Sequence, residues 1–333
     1  MIKIGIIGYG YWGPNIARNF SSIEGCTVMS ICDCDQAALH RAHLAHQNIP
    51  VTRDWNDILN SPDIDVVAVI TPVSTHFELA KKALENGKHV FVEKPFTATV
   101  AEAEELIMLA EKKKLTIMVD HTFIFTGAVR KIKELVDEKT LGDLYYYDSV
   151  RVNLGLFQPD VNVIWDLAPH DFAVMDYLLD ERPVAVSACG KAHVNGQEDT
   201  AYVTAMFNNN LIAHFNVNWL SPVKVRTTLI GGEKKMLVWN DLEADEKIKI
   251  YDKGVEVKSK QANYTLRVNY RSGDMYSPRV EQSEALKIET AYFLKCVKEN
   301  SMPINDGRSG LRVVRMLEAC SESLKKKGRE IVL

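Results

Sequence analysis

The sequence predicts an α/β protein, with an N-terminal doubly wound parallel sheet and then an α+β domain on a large, mostly antiparallel, open-faced sheet. Three observations predict it. Up to Asp120, short apolar β-branched runs alternate with segments of helical periodicity. Between Val184 and Ser259, extended segments instead follow one another through hairpin chemistry at Asn208-Asn209-Asn210, Gly231-Gly232 and Lys253-Gly254. At 333 residues the chain can hold two cores, and the expected division is 1–122 and 123–333.

The first strand is the run Ile2, Ile4, Ile6 and Ile7, of the kind buried in a parallel sheet. It stops at Gly8-Tyr9-Gly10-Tyr11-Trp12-Gly13. Glycines at this spacing allow a tight turn, a close backbone approach to a pyrophosphate, and close packing of the next helix on the strand. The phosphate charge would then lie at a helix N-terminus, where free N–H groups favour an anion. Pro14 suits the first turn of that helix, and Ile16, Ala17, Phe20 and Ile23 continue it at helical spacing. A second apolar segment, Thr27 to Ile31, leads to Asp33, 20 residues beyond Gly13, where a carboxylate accepts from an adenosine ribose. Strand, glycine turn, helix, strand and acid in that order predict a dinucleotide site. A 2′-phosphate beside Asp33 would meet a repulsion of ~4 kcal/mol at an intermediate dielectric. No arginine directly follows to offset it, so NAD is expected in preference to NADP. Asp33 could instead cap the next helix, a task for which Asp35 is better placed.

A helix over about Gln36 to His46, an extended piece at Pro50 to Thr52 and a turn capped by Asp54 come next. Ile64 to Ile70 is a strand buried on both faces, and it ends at Thr71-Pro72-Val73-Ser74-Thr75-His76 ahead of a helix over Phe77 to Asn86. Loops at the carboxyl ends of parallel strands bind ligands, which places Thr71, Pro72 and His76 near the cofactor. His76 is alternatively a plain first-turn residue. The strand His89 to Val92 runs into Glu93-Lys94-Pro95, where the proline biases Lys94 toward an extended conformation. That lysine either holds an ammonium at a fixed point over the nicotinamide or pairs with a nearby acid. A helix over Val100 to Lys113 and a sixth strand, Leu115 to Val119, complete the sheet.

The second half begins with a helix over Ala128 to Glu138, a strand near Leu144 to Val152 and a helix from about Pro169 to Leu179. Asp166 and His170 are four residues apart and would share one helical face, an imidazole for proton transfer beside a carboxylate that fixes its tautomer or touches a substrate hydroxyl. A cap and a buried partner would give the same spacing. The polar stretch Gln261 to Ser283, with Arg267, Arg271, Arg279, Tyr264, Tyr270 and Tyr276, is expected to be a solvated loop ahead of two closing helices.

The composition, 46% hydrophobic and 25% charged, is that of an ordinary globular protein. A net charge of −4 points to no nucleic-acid partner, and no apolar run is long enough to span a membrane. A cytoplasmic protein with six reduced cysteines is expected. His40, His43 and His46 rotate around their helix without a further ligand, so no metal site is expected.

The glycine turn after the first strand, Glu93-Lys94-Pro95, Asp166 with His170, and Gly273-Asp274 ahead of a helix together resemble the glucose-fructose oxidoreductase / inositol dehydrogenase / MocA family across nearly the whole chain. Val119-Asp120-His121-Thr122-Phe123 and Trp165-Asp166-Leu167-Ala168-Pro169-His170 most resemble members acting on sugars and nucleotide-linked sugars, although many relatives carry glycine in place of Asp120. The resemblance implies a Rossmann domain binding NAD through Gly8, Gly10, Tyr11, Trp12, Gly13, Asp33, Thr71, Pro72, His76, Glu93 and Lys94. It implies Lys94, Asp166 and His170 as catalytic groups, with Lys94 on the nicotinamide ribose and substrate hydroxyl, Asp166 on the sugar and His170 as acid/base. It also implies a homodimer or homotetramer formed through the open sheet. The activity implied is hydride transfer to or from a sugar carbon. The alternatives are a free monosaccharide or inositol dehydrogenase, and a non-catalytic NAD and sugar-binding regulator.

Overall fold

The computed structural model describes residues 1–155, 157–158, 160–257 and 268–333. It divides into two compact units, Met1–Phe125 with Ser283–Arg315, and Thr126–Gln282 with Met316–Leu333.

The first unit contains β1 (Ile2–Ile7), α1 (Gly13–Ser21), β2 (Cys26–Cys32), α2 (Gln36–Ala45), β3 (Val51–Thr52), α3 (Asn56–Leu59), β4 (Val66–Val69), α4 (His76–Glu85), β5 (His89–Glu93), α5 (Val100–Lys113) and β6 (Ile117–Asp120). Its six strands are parallel in the order β3-β2-β1-β4-β5-β6. Val66 to Val69 are all fully buried, as a strand covered on both faces requires. The strand order reverses between β1 and β4, and the loops after these two strands flank the switch point where such sheets bind ligands.

The second unit opens with α6 (Gly127–Asp137), β7 (Leu144–Leu154) and α7 (Val163–Leu178). Six strands follow in β8 (Ala185–Lys191), β9 (Thr200–Met206), β10 (Ile212–Asn218), β11 (Leu220–Gly232), β12 (Met236–Asn240) and β13 (Ile248–Val257), then β14 (Val268–Tyr276). Two further helices, α8 (Ala285–Glu299), which belongs to the first unit, and α9 (Gly307–Lys325), precede β15 (Ile331–Val332). The sheet runs β14-β13-β12-β11-β7-β10-β9-β8-β15 and is antiparallel except where β10 lies parallel to β7. Ala201, Val203, Ala213, Phe215 and Val217 fill its inner face, where Phe172 of α7 meets Phe215 edge to face at 4.8 Å.

Five features differ from the sequence expectation. Lys253-Gly254 makes no hairpin: β13 runs through it, with a register shift against β14 between Tyr251 and Lys253. Residues 283–315 return to the first unit instead of staying with the second, because the apolar face of α8 belongs to the first core: Phe293 is fully buried, 5.5 Å from the Phe91 ring and 6.5 Å from Phe20. Helix α7 starts at Val163, six residues before the proline expected to open it, because Asn162 caps it by accepting from the Trp165 N–H. The stretch expected as a loop holds an edge strand, β14, which contains Gly273 and Asp274; an edge tolerates polar residues, and Arg271 donates to Asp252 on β13 at 3.0 Å. Residues 258–267, with Tyr264 and Arg267, lie outside the described residues. The edge strand β15 was not signalled at all.

Candidate functional site

The glycine turn is built as its spacing requires. Gly8 has φ +102°, and a Cβ there would lie 2.2 Å from the Ile70 carbonyl oxygen; one at Gly13 would lie 2.5 Å from the Gly8 oxygen. A Cβ at Gly10 would meet no atom of the described residues within 4 Å beyond its own chain neighbours. The backbone therefore leaves open space at the position where a pyrophosphate has to come close, and the residues present fit a dinucleotide. Trp12 is the N-cap of α1 and makes no side-chain cap, which leaves that end of the helix to an anion. Tyr11 is 81% exposed and packs edge-on against Trp12 at 5.7 Å.

Asp33 accepts from the Tyr9 N–H at 2.6 Å and from the Asp35 N–H at 2.8 Å, so it locks the glycine turn to the end of β2 and keeps lone pairs for a ribose. Asp35 caps α2, accepting from Ala37 and Ala38. Arg53, which sequence reasoning missed, donates to the Cys34 carbonyl at 3.1 Å. It arrives through the pairing of Cys32 with Thr52, so nothing in the residues that follow Asp33 signals it.

Thr71 and Pro72 lie on the loop after β4, where Thr75 Oγ1 donates to Thr71 Oγ1 at 2.7 Å or to the Pro72 carbonyl at 2.8 Å. His76 does not face outward with them. Its ring is fully buried, with Nε2 2.7 Å from the Thr71 oxygen and Nδ1 2.9 Å from the Pro95 oxygen. Burial holds its pKa down despite those carbonyls, and the ring ties the loop after β4 to the turn after β5. Glu93 ends β5 and Lys94 begins that turn; both are half-buried, and the Lys94-Pro95 bond is cis. Glu93 pairs across the sheet with Asp120.

In the second unit, Asp166 and His170 lie on successive turns of α7. The Trp219 indole donates to Asp166 Oδ2 at 3.0 Å, and Nδ1 of His170 is sealed from solvent. The next residue, Asp171, seats the helix on β7: it accepts from Arg151 Nε at 2.6 Å, Arg151 Nη2 at 3.1 Å and Ser149 Oγ at 3.0 Å. Burial pulls the Arg151 pKa down, and the charge and hydrogen bonds of Asp171 more than offset this. The sequence reading overlooked this anchor because the acid follows the histidine directly and its partners lie on a different element.

A cavity of about 190 Å³ bordered by Ile107, Leu115, Ile117 and Pro303 opens at the amino end of β6, opposite the strand end that carries Asp120. Among the described residues, no cluster of His, Cys, Asp or Glu is placed to hold a metal, and no helix is long and apolar enough to cross a membrane.

Residues 2–121 match the model of an oxidoreductase family with an NAD-binding Rossmann fold, and residues 129–238 match the GFO/IDH/MocA C-terminal domain. A UDP-N-acetylglucosamine 3-dehydrogenase from Acidithiobacillus ferrooxidans is 30% identical over 216 residues, 64% of this chain and 66% of that protein. The solved structure of that dehydrogenase superposes with a TM-score of 0.80 over 98% of both chains at 24% identity. A myo-inositol 2-dehydrogenase from Thermotoga maritima is 23% identical over 98% of this chain and 97% of its own length. Several other curated relatives are matched over 51 to 65% of their length. With both family models on consecutive parts of the sequence and the glycine turn formed at the switch point, the chain belongs to the glucose-fructose oxidoreductase / inositol dehydrogenase / MocA family of NAD-binding oxidoreductases.

Proposed function

We propose that the chain is an NAD-dependent dehydrogenase or reductase that moves a hydride between nicotinamide and a secondary alcohol or ketone carbon of a sugar, with a nucleotide-linked sugar reacting at its 3-position. The observation that carries this reading is the Asp166 and His170 pair on one face of α7, in a chain whose other unit binds NAD. NAD, when bound, takes up or returns the hydride. His170 accepts the hydroxyl proton, Asp166 orients the sugar, and the Lys94 ammonium steadies the negative charge that develops on oxygen. The relative named as a UDP-N-acetylglucosamine 3-dehydrogenase supports the nucleotide-linked class. The myo-inositol dehydrogenase matched along its whole length supports a second reading, a free cyclitol or monosaccharide. Tyr202 and Ile212, exposed on the outer face of the sheet, support self-association there, and six free thiols support a reducing, cytoplasmic setting.

The test follows the reduced-nicotinamide absorbance of purified protein with NAD during addition of UDP-sugars and then free sugars. Growth of the band with a UDP-sugar, suppressed by UDP, supports the nucleotide-linked class; growth with free sugars and indifference to UDP selects the second reading. Lys94→Ala should lower turnover by roughly 10²–10³-fold while NAD still binds. Undiminished turnover in that variant would remove Lys94 from the mechanism.

A further inference from the structure

The loops after β2 and β3 leave the first sheet at the same edge as the glycine turn, the edge at which parallel sheets bind ligands. Residues 33–35 and 53–57, which follow these strands, carry four acids. Asp33 accepts from the Tyr9 and Asp35 N–H groups, and Asp35 from those of Ala37 at 3.0 Å and Ala38 at 3.2 Å. Asp54 accepts from the Asn56 N–H at 2.9 Å and from Asn56 Nδ2 at 2.8 Å, and Asp57 accepts from the Thr52 hydroxyl. All of these donors are uncharged. The same residues carry one basic side chain, Arg53. The pairing of Cys32 with Thr52, and the Asp33 N–H donated to the Thr52 carbonyl at 3.2 Å, put Arg53 beside the acid of the ribose site. Its Nη2 donates at 3.1 Å to the carbonyl of Cys34, the residue after Asp33. The guanidinium is exposed and enters no ion pair among the described residues.

We infer that Arg53 is a specificity-determining residue for the cofactor: its guanidinium meets a 2′-phosphate on the adenosine ribose, so the chain binds NADP as well as NAD, and NAD the more tightly. Asp33 by itself would turn the phosphorylated cofactor away, because two negative groups would meet at the ribose. An arginine near that acid is the means by which such sites accommodate the phosphate. The residues that follow the acid, Cys34, Asp35 and Gln36, offer none, and β3 instead brings a guanidinium onto the Cys34 carbonyl. A guanidinium has five N–H donors in a fixed fork that matches phosphate oxygens, and the Cys34 carbonyl takes one of them. Tethering the loop does not call for a charge, since β3 already fixes it against β2 and an uncharged donor would reach the same carbonyl. The four acids remain in place around the ribose, which keeps NAD the preferred cofactor. The inference concerns the adenosine end of the cofactor and holds whichever sugar reacts.

The experiment is titration calorimetry of the purified full chain with NAD and with NADP, in the absence of any sugar, with folding of each variant checked by circular dichroism. The unaltered chain should bind both cofactors, NADP the more weakly. Arg53→Gln keeps a donor for the Cys34 carbonyl and removes the charge. It should weaken NADP about fivefold, the size of an exposed charge pair, and change NAD by less than about twofold. Arg53→Lys, which keeps the charge without the fork, should restore part of the loss. Added salt should weaken NADP binding more in the unaltered chain than in Arg53→Gln. Three results overturn the inference: no binding of NADP by the unaltered chain, an NADP affinity unmoved in Arg53→Gln, or an equal loss for both cofactors, which would set the guanidinium against the adenine that they share. No turnover is read, so a failure of the sugar dehydrogenase reading is scored separately by the absorbance assay.

Discussion

His121 shows how far a single residue can depart from its sequence reading. The segment Val119 to Phe123 resembles relatives that act on sugars, yet the ring is inside the first unit at 1% exposure and makes no hydrogen bond among the described residues. Its folded pKa of about 3 lies below the ~6.5 of an unfolded histidine, so between those values the unfolded chain binds a proton that the folded one refuses. Stability is therefore full above the unfolded value and falls as the pH drops through it. From about pH 8 to about pH 5 the ring should cost roughly 2 kcal/mol. His121→Leu should remove that part of the acid sensitivity when urea melts are compared at the two pH values; an unchanged difference would mean that the imidazole is charged in the fold. Asp33 stands at the other extreme. Its place was readable from its distance to Gly13, because the glycine turn and the end of β2 are joined by local chain geometry.

At the scale of the element, α7 depends on what lies beneath it. The Arg151 and Asp171 side chains are 5% and 4% exposed, and together they join helix to strand. Removing one member of such a pair strands a charge, whereas replacing both by apolar groups can be nearly neutral. Asp171→Ala should therefore lose about 3–5 kcal/mol in a chemical melt, and Arg151→Met combined with Asp171→Leu should recover most of it. A double variant whose loss equals the sum of the Asp171→Ala and Arg151→Met losses would show that the two groups are not coupled. The spacing of Asp166 and His170 was legible because four residues is a helical repeat. The helix start was not, since Pro169 looks like a first-turn residue and the cap that sets the start is Asn162, in a stretch without apolar periodicity. For the same reason β14 was missed: Tyr270, Arg271 and Asp274 alternate no apolar face, and only pairing with β13 makes them a strand.

On the scale of the whole molecule, the parallel sheet was readable because each of its principal strands is a short apolar run between helices, and the second sheet because Asn208-Asn209-Asn210 and Gly231-Gly232 mark two of its hairpins, whereas Lys253-Gly254 lies inside β13. What pattern alone could not reveal is which core a late helix joins, since an amphipathic face does not name its partner. Phe293 answers that here, and Phe293→Ala should lower stability by roughly 3–5 kcal/mol, with the loss falling on the melting of the first unit. A loss confined to the second unit would contradict the division at Ser283. The return of residues 283–315 also sets an order of events at the ribosome. The apolar surface around Phe20 and Phe91 is made early, while the helix that covers it is made only after more than a hundred intervening residues. At ~5–20 residues per second, that surface waits on the order of ten seconds for its cover, an interval in which a nascent chain is most in need of a chaperone.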